Sequence, residues 1–111
     1  MARPNRTRAA RRDRLDFSGI GQAALAHAPT LLRRWLPDGK LNGHEFGARN
    51  PRRTDHNMGS FKINLMTGRW ADFAIGASGG DLISLAAYLF SIGQAEAARR
   101  IADMLGVDHD S

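Results

Sequence analysis

No cysteine occurs among the 111 residues, so neither a disulfide framework nor a thiolate metal site can form. A core of this size that holds without such staples fits the cytoplasm better than secretion. Long apolar runs are missing as well: nothing approaches the roughly 18 consecutive residues of a membrane-spanning helix. The opening residues, Met1 to Arg14, lack the apolar segment of a signal peptide, since Arg11-Arg12 is followed by Asp13 and Arg14. They also lack the apolar face of a transit peptide. The length suffices for one compact core and not for two ordinary domains.

Acidic side chains are scarce until late in the chain. Residues 1 to 14 hold six Arg and one Asp, residues 33 to 69 hold eight Lys or Arg and three acids, and residues 70 to 111 hold two Arg and six acids. Two basic blocks therefore precede an acidic end. A basic block attracts polyanions by releasing their condensed counterions. A solvated charged face is the plainer explanation of the same composition.

Residues 1 to 15 have almost no large apolar group to offset the entropy of ordering, which predicts an Arg-rich disordered tail. The folded part is expected over residues 16 to 106, with 107 to 111 as a C-terminal tail. From Asp16 the period is helical: Asp16 or Ser18 can cap, and Ile20, Leu25, Ala28, Leu32, Trp35 and Leu36 approximate one face. Pro29 either kinks this helix or opens a second one, and Pro37-Asp38-Gly39 ends it. The period then shifts towards two. His44, Phe46 and Ala48 alternate with Glu45 and Gly47, and Phe61, Ile63 and Leu65 alternate with Lys62 and Asn64. Gly68 suits a turn before Arg69-Trp70-Ala71-Asp72-Phe73, which predicts a hairpin. Gly76 to Asp81 reads as a glycine-rich lead into a helix carrying Leu82, Leu85, Ala86 and Leu89, ended by Gly93. A last helix spans Gln94 to Leu105, with Ala98, Ile101, Ala102 and Leu105 buried and Gly106 beyond its end. The expected class is α+β, a small antiparallel sheet flanked by N- and C-terminal helices.

Candidate chemistry is sparse. The glycine-rich run could cradle a phosphate at a helix N-terminus, but it lacks a P-loop lysine, and Asp81 would cap the amides itself. His27, His44, His56 and His109 show no zinc-ligand spacing, and neither a metal nor another cofactor is expected. Asp55, Asp72, Asp81, Ser60 and Ser78 do not combine into a nucleophile with its base and orienting acid, so an enzyme is not expected. The informative cluster is Arg49, Arg52, Lys62 and Arg69, with Arg53 nearby and Phe61 and Trp70 interleaved. Cations for phosphates beside a ring that stacks on a base are the two components of single-strand binding. Phe61 can instead face the core. For Trp70, packing at the core and facing a ligand are equally compatible with the pattern.

Four stretches carry a family resemblance through their order: Asn50-Pro51-Arg52-Arg53, Gly59-Ser60-Phe61-Lys62-Ile63-Asn64, Gly68-Arg69-Trp70-Ala71-Asp72-Phe73 and Gly79-Gly80-Asp81-Leu82-Ile83-Ser84-Leu85. Together they resemble the N-terminal zinc domain of bacterial and phage DNA primases, over Leu31 to Gly106. In that family a Cys-Pro-x-His stretch precedes a Ser-Phe strand, and a second strand leads into Cys-x-x-Cys and a Gly-Gly-Asp helix start. Here Asn50 stands where the first cysteine would, Arg53 for the histidine, and Asp72 and Ile75 for the paired cysteines, with an extra residue in each of two loops. The resemblance thus implies a zinc-less relative in which an Arg53–Asp72 ion pair, hydrogen bonds from Asn50 to loop backbone and apolar packing by Ile75 replace the metal. It further implies a leading domain of a plasmid, phage or integrative-element primase-helicase protein, with any catalytic primase domain outside this chain. The implied partner is DNA, single-stranded in a template-binding role. The rival expectation is a module that docks a helicase, primase or host factor, which suits the acidic end with Glu96, Asp103 and Asp108.

Overall fold

The computed structural model describes residues 15–52 and 60–110. Its elements run in order α1 (Phe17–Ala26), α2 (Ala28–Trp35), β1 (Lys40–Asn42), β2 (Glu45–Ala48), β3 (Phe61–Asn64), β4 (Trp70–Asp72), β5 (Ala77–Gly79), α3 (Leu82–Phe90) and α4 (Gln94–Leu105). The five strands form one antiparallel sheet in the order β1-β2-β3-β4-β5. The fold is α+β.

Asp16 caps α1 by accepting from the Gly19 amide at 2.9 Å. His27 closes α1, and α2 starts immediately with Pro29 in its first turn, where a residue without an N–H costs no hydrogen bond. Pro29 therefore separates two helices and kinks neither. Asp81 and Ser84 form a capping box at the start of α3, the Asp81 carboxylate accepting from the Ser84 amide at 2.8 Å. That end is occupied by its own cap, which removes the geometry a phosphate would need. Helix α3 ends earlier than expected: Ser91 adopts the left-handed conformation at φ 55°, and Gly93 instead precedes α4. Gly106, at φ 71°, follows α4.

Two strands go beyond those the alternation predicts. Gly43 at φ 64° occupies the first central position of a two-residue turn between Asn42 and Glu45, a conformation that type II′ hairpins need and glycine supplies without strain. This turn pairs β1 with β2. The glycine-rich segment contains β5, paired to β4 with Trp70 opposite Gly79 and Asp72 opposite Ala77. Lacking a large side chain, Gly79 lets the Trp70 indole and Ser84 hydroxyl lie over it; a Cβ there would collide with both.

Alternation divides the sheet. Phe46, Ala48, Phe61, Ile63 and Trp70 are buried and join Ile20, Leu31, Leu32, Leu36, Leu82, Leu85 and Ile101 from the helices in one core. Burying each of the larger side chains contributes about 1.5–3 kcal/mol before entropy is charged against it. Among the described residues, no helix covers the opposite face. The segment after Gly106 also differs from the free tail expected of it. Leu15 bridges to Asp110, the Asp16 amide donates to the His109 carbonyl at 2.9 Å, and His109 Nε2 lies 2.6 Å from Asp103 Oδ1. These interactions tie the end of the chain to the start of α1. Residues 1 to 14 of the expected tail lie outside the described residues.

Candidate nucleic-acid interface

Residues opposite one another in paired strands lie on the same side of a sheet. Lys40, Gly47, Lys62, Ala71 and Ser78 therefore form one row across the uncovered face, since the register pairs Lys40 with Gly47, Gly47 with Lys62, Lys62 with Ala71, and Ala71 with Ser78. Small residues surround Lys62 in this row, and a Cβ built on Gly47 meets no atom within 4 Å. At one end Asn64 is followed by a turn that returns at Arg69, with the Asn64 amide donating to the Arg69 carbonyl at 2.8 Å. At the other end the Phe73 amide donates to the Ser60 carbonyl at 2.8 Å, which carries the alternation one residue further. Phe73 thus falls on the uncovered face and is 72% exposed. A depression of about 170 Å³ on this face is bordered by Lys62, Asn64, Arg69, Ala71 and Phe73, together with the acidic Glu45 and part of Trp70.

The cations on this face are weakly held. Lys62 Nζ lies 3.5 Å from Glu45 Oε1, and Arg49 Nε lies 4.0 Å from Asp38 Oδ2, all four side chains being substantially exposed. Exposed pairs of this kind contribute about 0–1 kcal/mol, little enough for a phosphate to compete. Arg69 forms no ion pair among the described residues.

Of two further residues expected at the interface, Arg52 lies elsewhere, and Trp70 borders the depression but turns its ring away from it. Trp70 is only 5% exposed because it points to the inner face, where its Nε1 donates to Ser84 Oγ at 2.9 Å. Its ring lies 5.0 Å from that of Tyr88 and 6.2 Å, edge-on, from Phe61. Such an indole cannot stack on a base without unpacking the core. Arg52 lies against α3: Nη1 donates to the Tyr88 carbonyl at 2.9 Å, and the guanidinium carbon sits 4.8 Å over the Tyr88 ring. Of the expected binding residues, the sheet brings Lys62 and Arg69 to one depression, with Arg49 beyond the end of β2 on the same face. The ring that joins them is Phe73, which the sequence-level cluster does not include. Strict alternation from Trp70 identifies it once either residue is assigned a side.

The positions matched to zinc ligands meet a different fate. Asn50 and Asp72, separated by 22 residues in sequence, are both buried, and Asn50 Nδ2 donates to Asp72 Oδ2 at 2.9 Å and to Tyr88 Oη at 2.8 Å. Asn50 Oδ1 accepts from the Arg52 amide at 2.9 Å, and Asp72 Oδ1 from the Ala74 amide at 3.0 Å. Flipping the Asn50 amide would set an oxygen against a carboxylate, so the neighbours determine its orientation. Ile75 does not supply the expected packing; it is 52% exposed, carried outward by the turn that Asp72 holds with its carbonyl. Arg53, and with it the expected ion pair, lies outside the described residues, as do Asp55 and His56.

This donor set does not fit zinc. The Asn50 amide presents N–H groups to Asp72, and Ile75 has no lone pair to offer. Among the described residues, no three His, Cys, Asp or Glu side chains gather where they could hold a metal ion. No described helix is long and apolar enough to cross a membrane. Compared with protein-family models and with curated proteins, the chain matches none.

Proposed function

We propose that this protein is a non-catalytic, cytoplasmic module that binds single-stranded DNA across the uncovered face of its sheet, in the replication or priming of a mobile element. The observation that carries the reading is the exposed Phe73 ring beside Lys62 and Arg69, with the small residues Gly47 and Ala71 next to Lys62, and Glu45 as its one weakly paired acid. A single strand needs both parts: cations that follow its phosphates and a ring on which an unpaired base can stack. Small neighbours such as Ala71 and Gly47 leave room for the backbone to approach. The Arg-rich residues 1 to 14 add affinity without sequence preference.

The resemblance to the primase zinc domain enters the same proposal. Its support is that Asn50 and Asp72, matched to two ligands of one metal, hydrogen-bond to each other inside the protein. A neutral amide, a carboxylate and the Tyr88 hydroxyl hold the loop after β2 to the end of β4, the role a shared metal would have.

The test is a fluorescence-anisotropy titration of a short labelled single strand and of its duplex, at low and near-physiological salt, with the full chain and with residues 1 to 14 removed. Single-strand preference that survives the truncation is expected. Gly47→Glu supplies the decisive variant, since it adds a carboxylate beside Lys62 in open space. It should weaken single-strand binding about tenfold or more, because the new charge repels the strand and competes with it for Lys62. Binding that disappears with the tail and ignores Gly47→Glu would remove the sheet face from the account.

A further inference from the structure

The helical layer carries a second surface of different chemistry. A groove of about 320 Å³ lies where α2, α3 and α4 meet. Ala97 and Ile101 form a buried floor, while Phe90 and Met104 remain 46% and 43% exposed on its walls. Trp35 meets Phe90 edge-on, with ring centroids 6.0 Å apart. Arg34 and Arg100 also line it, with Ala86 and Ile92 adding apolar surface. Arg100 shares its charge with Glu96 at 2.9 Å across an exposed helix turn, whereas Arg34 forms no ion pair among the described residues.

We propose that this groove docks an acidic amphipathic helix from a partner protein. Apolar side chains three and four residues apart on that helix enter the concavity against Phe90 and Met104, and its carboxylates pair with Arg34 and Arg100. Three features point to this occupant. The lining is apolar and concave, as helix-in-groove recognition requires, and the alanine in its floor permits close approach. Met104 adapts to irregular apolar partners. The guanidiniums on the rim present fork-shaped donors that match carboxylates. A second copy of this chain meeting groove to groove fits poorly, because two concavities facing each other across a twofold axis leave no apolar ridge to fill either one. Nucleic acid fits poorly too, since the groove is an apolar concavity with only two cations in its lining, and not a row of cations that could follow a phosphate backbone. The inference does not rest on the DNA-binding reading, which concerns the other layer.

The experiment selects peptides from a displayed library of random sequences of about 16 residues, long enough for four helical turns, on the full chain at near-physiological salt. Enriched peptides are then synthesised, labelled and titrated against the wild type and against Phe90→Glu, Met104→Glu and Arg34→Glu. These three side chains are at the surface, and circular dichroism melting verifies that each variant folds. Should Phe90→Glu lower the melting temperature, Met104→Gln replaces it. Enriched sequences should combine apolar residues at helical spacing with two or more carboxylates, and each substitution should weaken them about tenfold or more, as removal of an anchor or a charge pair does. Lys62→Ala with Arg69→Ala should change their binding less than about twofold, because those residues lie on the other layer. Absence of enrichment, enrichment without acidic residues, or acidic peptides indifferent to Met104→Glu would overturn the proposal. So would a dimer, seen by sedimentation, that Met104→Glu dissociates.

Discussion

The two faces of the β3–β4 hairpin use neighbouring residues for opposite purposes. Inward, Phe61, Ile63, Trp70 and Asp72 are all buried, with the Trp70 N–H and the Asp72 carboxylate satisfied by Ser84 and Asn50. Outward, Lys62, Arg69, Ala71 and Phe73 face solvent with only weak partners. The five residues Arg69-Trp70-Ala71-Asp72-Phe73 thus divide between a structural set and a surface set with a period of two. Adjacent residues of a strand cannot serve one face. This is why the conspicuous Arg69-Trp70 pair misleads: its arginine and its indole are on opposite sides of the sheet.

If that division is real, inward substitutions change stability and outward ones change affinity. The largest effect should come from Asp72→Ala. It strips the acceptor from the buried Asn50 Nδ2 and from the part-buried Ala74 amide, and leaving a buried donor unpaired costs about 1–3 kcal/mol. A total near 3 kcal/mol corresponds to a melting temperature lower by about 10 °C or more in a domain of this size. Below the melt, single-strand affinity should hold within about twofold. A stable Asp72→Ala protein that no longer binds would invert the assignment of the two faces.

Gly79→Ala comes next and affects the same inner face from the opposite direction. The added methyl meets the Trp70 indole and Ser84 hydroxyl, and overpacking of this kind costs about 1–3 kcal/mol. Denaturant unfolding should register the loss as a lower midpoint. Ser78→Ala, one residue earlier on the exposed face of β5, should leave the midpoint unchanged. Equal effects at the two positions would mean that β5 does not alternate between the two faces.

The sequence made much of this legible, for identifiable reasons. Strong helical periodicity and side-chain caps at Asp16 and Asp81 locate the helices, and apolar alternation locates β2 and β3. What it does not reveal is short and glycine-bearing. Residues Lys40–Asn42 and Ala77–Gly79 present no apolar row, and their strand character comes from pairing with a neighbour already in place. Within 76–81 it is Gly79 that is required, because the Trp70 indole and the Ser84 hydroxyl occupy the space a Cβ would need. At the candidate site the cations are identifiable by charge, but which ring accompanies them depends on register. Tyr88, the common neighbour of Asn50, Arg52 and Trp70, is invisible without tertiary structure, since its partners are distant in sequence.

On the outer face, Phe73→Ala should weaken single-strand binding about tenfold, within the roughly 1–3 kcal/mol that stacking on one base contributes. Its melting temperature should move little, because a ring 72% exposed buries little on folding. Trp70→Phe reverses the pattern, destabilising by removing the hydrogen bond to Ser84 with affinity retained. Loss of binding in Trp70→Phe, with Phe73→Ala unaffected, would return the stacking role to the indole.

The smallest effect is the most specific to mechanism. Lys62→Ala and Arg69→Ala remove charge without removing a stacking surface, so each should weaken binding only a few-fold at near-physiological salt. The diagnostic quantity is the slope of log affinity against log salt, which falls by about 0.7 for each single-strand phosphate that is no longer neutralised. Both substitutions together should lower the slope by about 1.4 if each cation holds its own phosphate. Phe73→Ala should leave the slope unchanged while lowering affinity at every salt concentration, since stacking releases no counterions. Parallel lines for Phe73→Ala and flatter lines for the cations would distinguish two kinds of interaction within one depression. A flatter line for Phe73→Ala would show instead that the ring acts by positioning the cations, and that the face recognises phosphate alone.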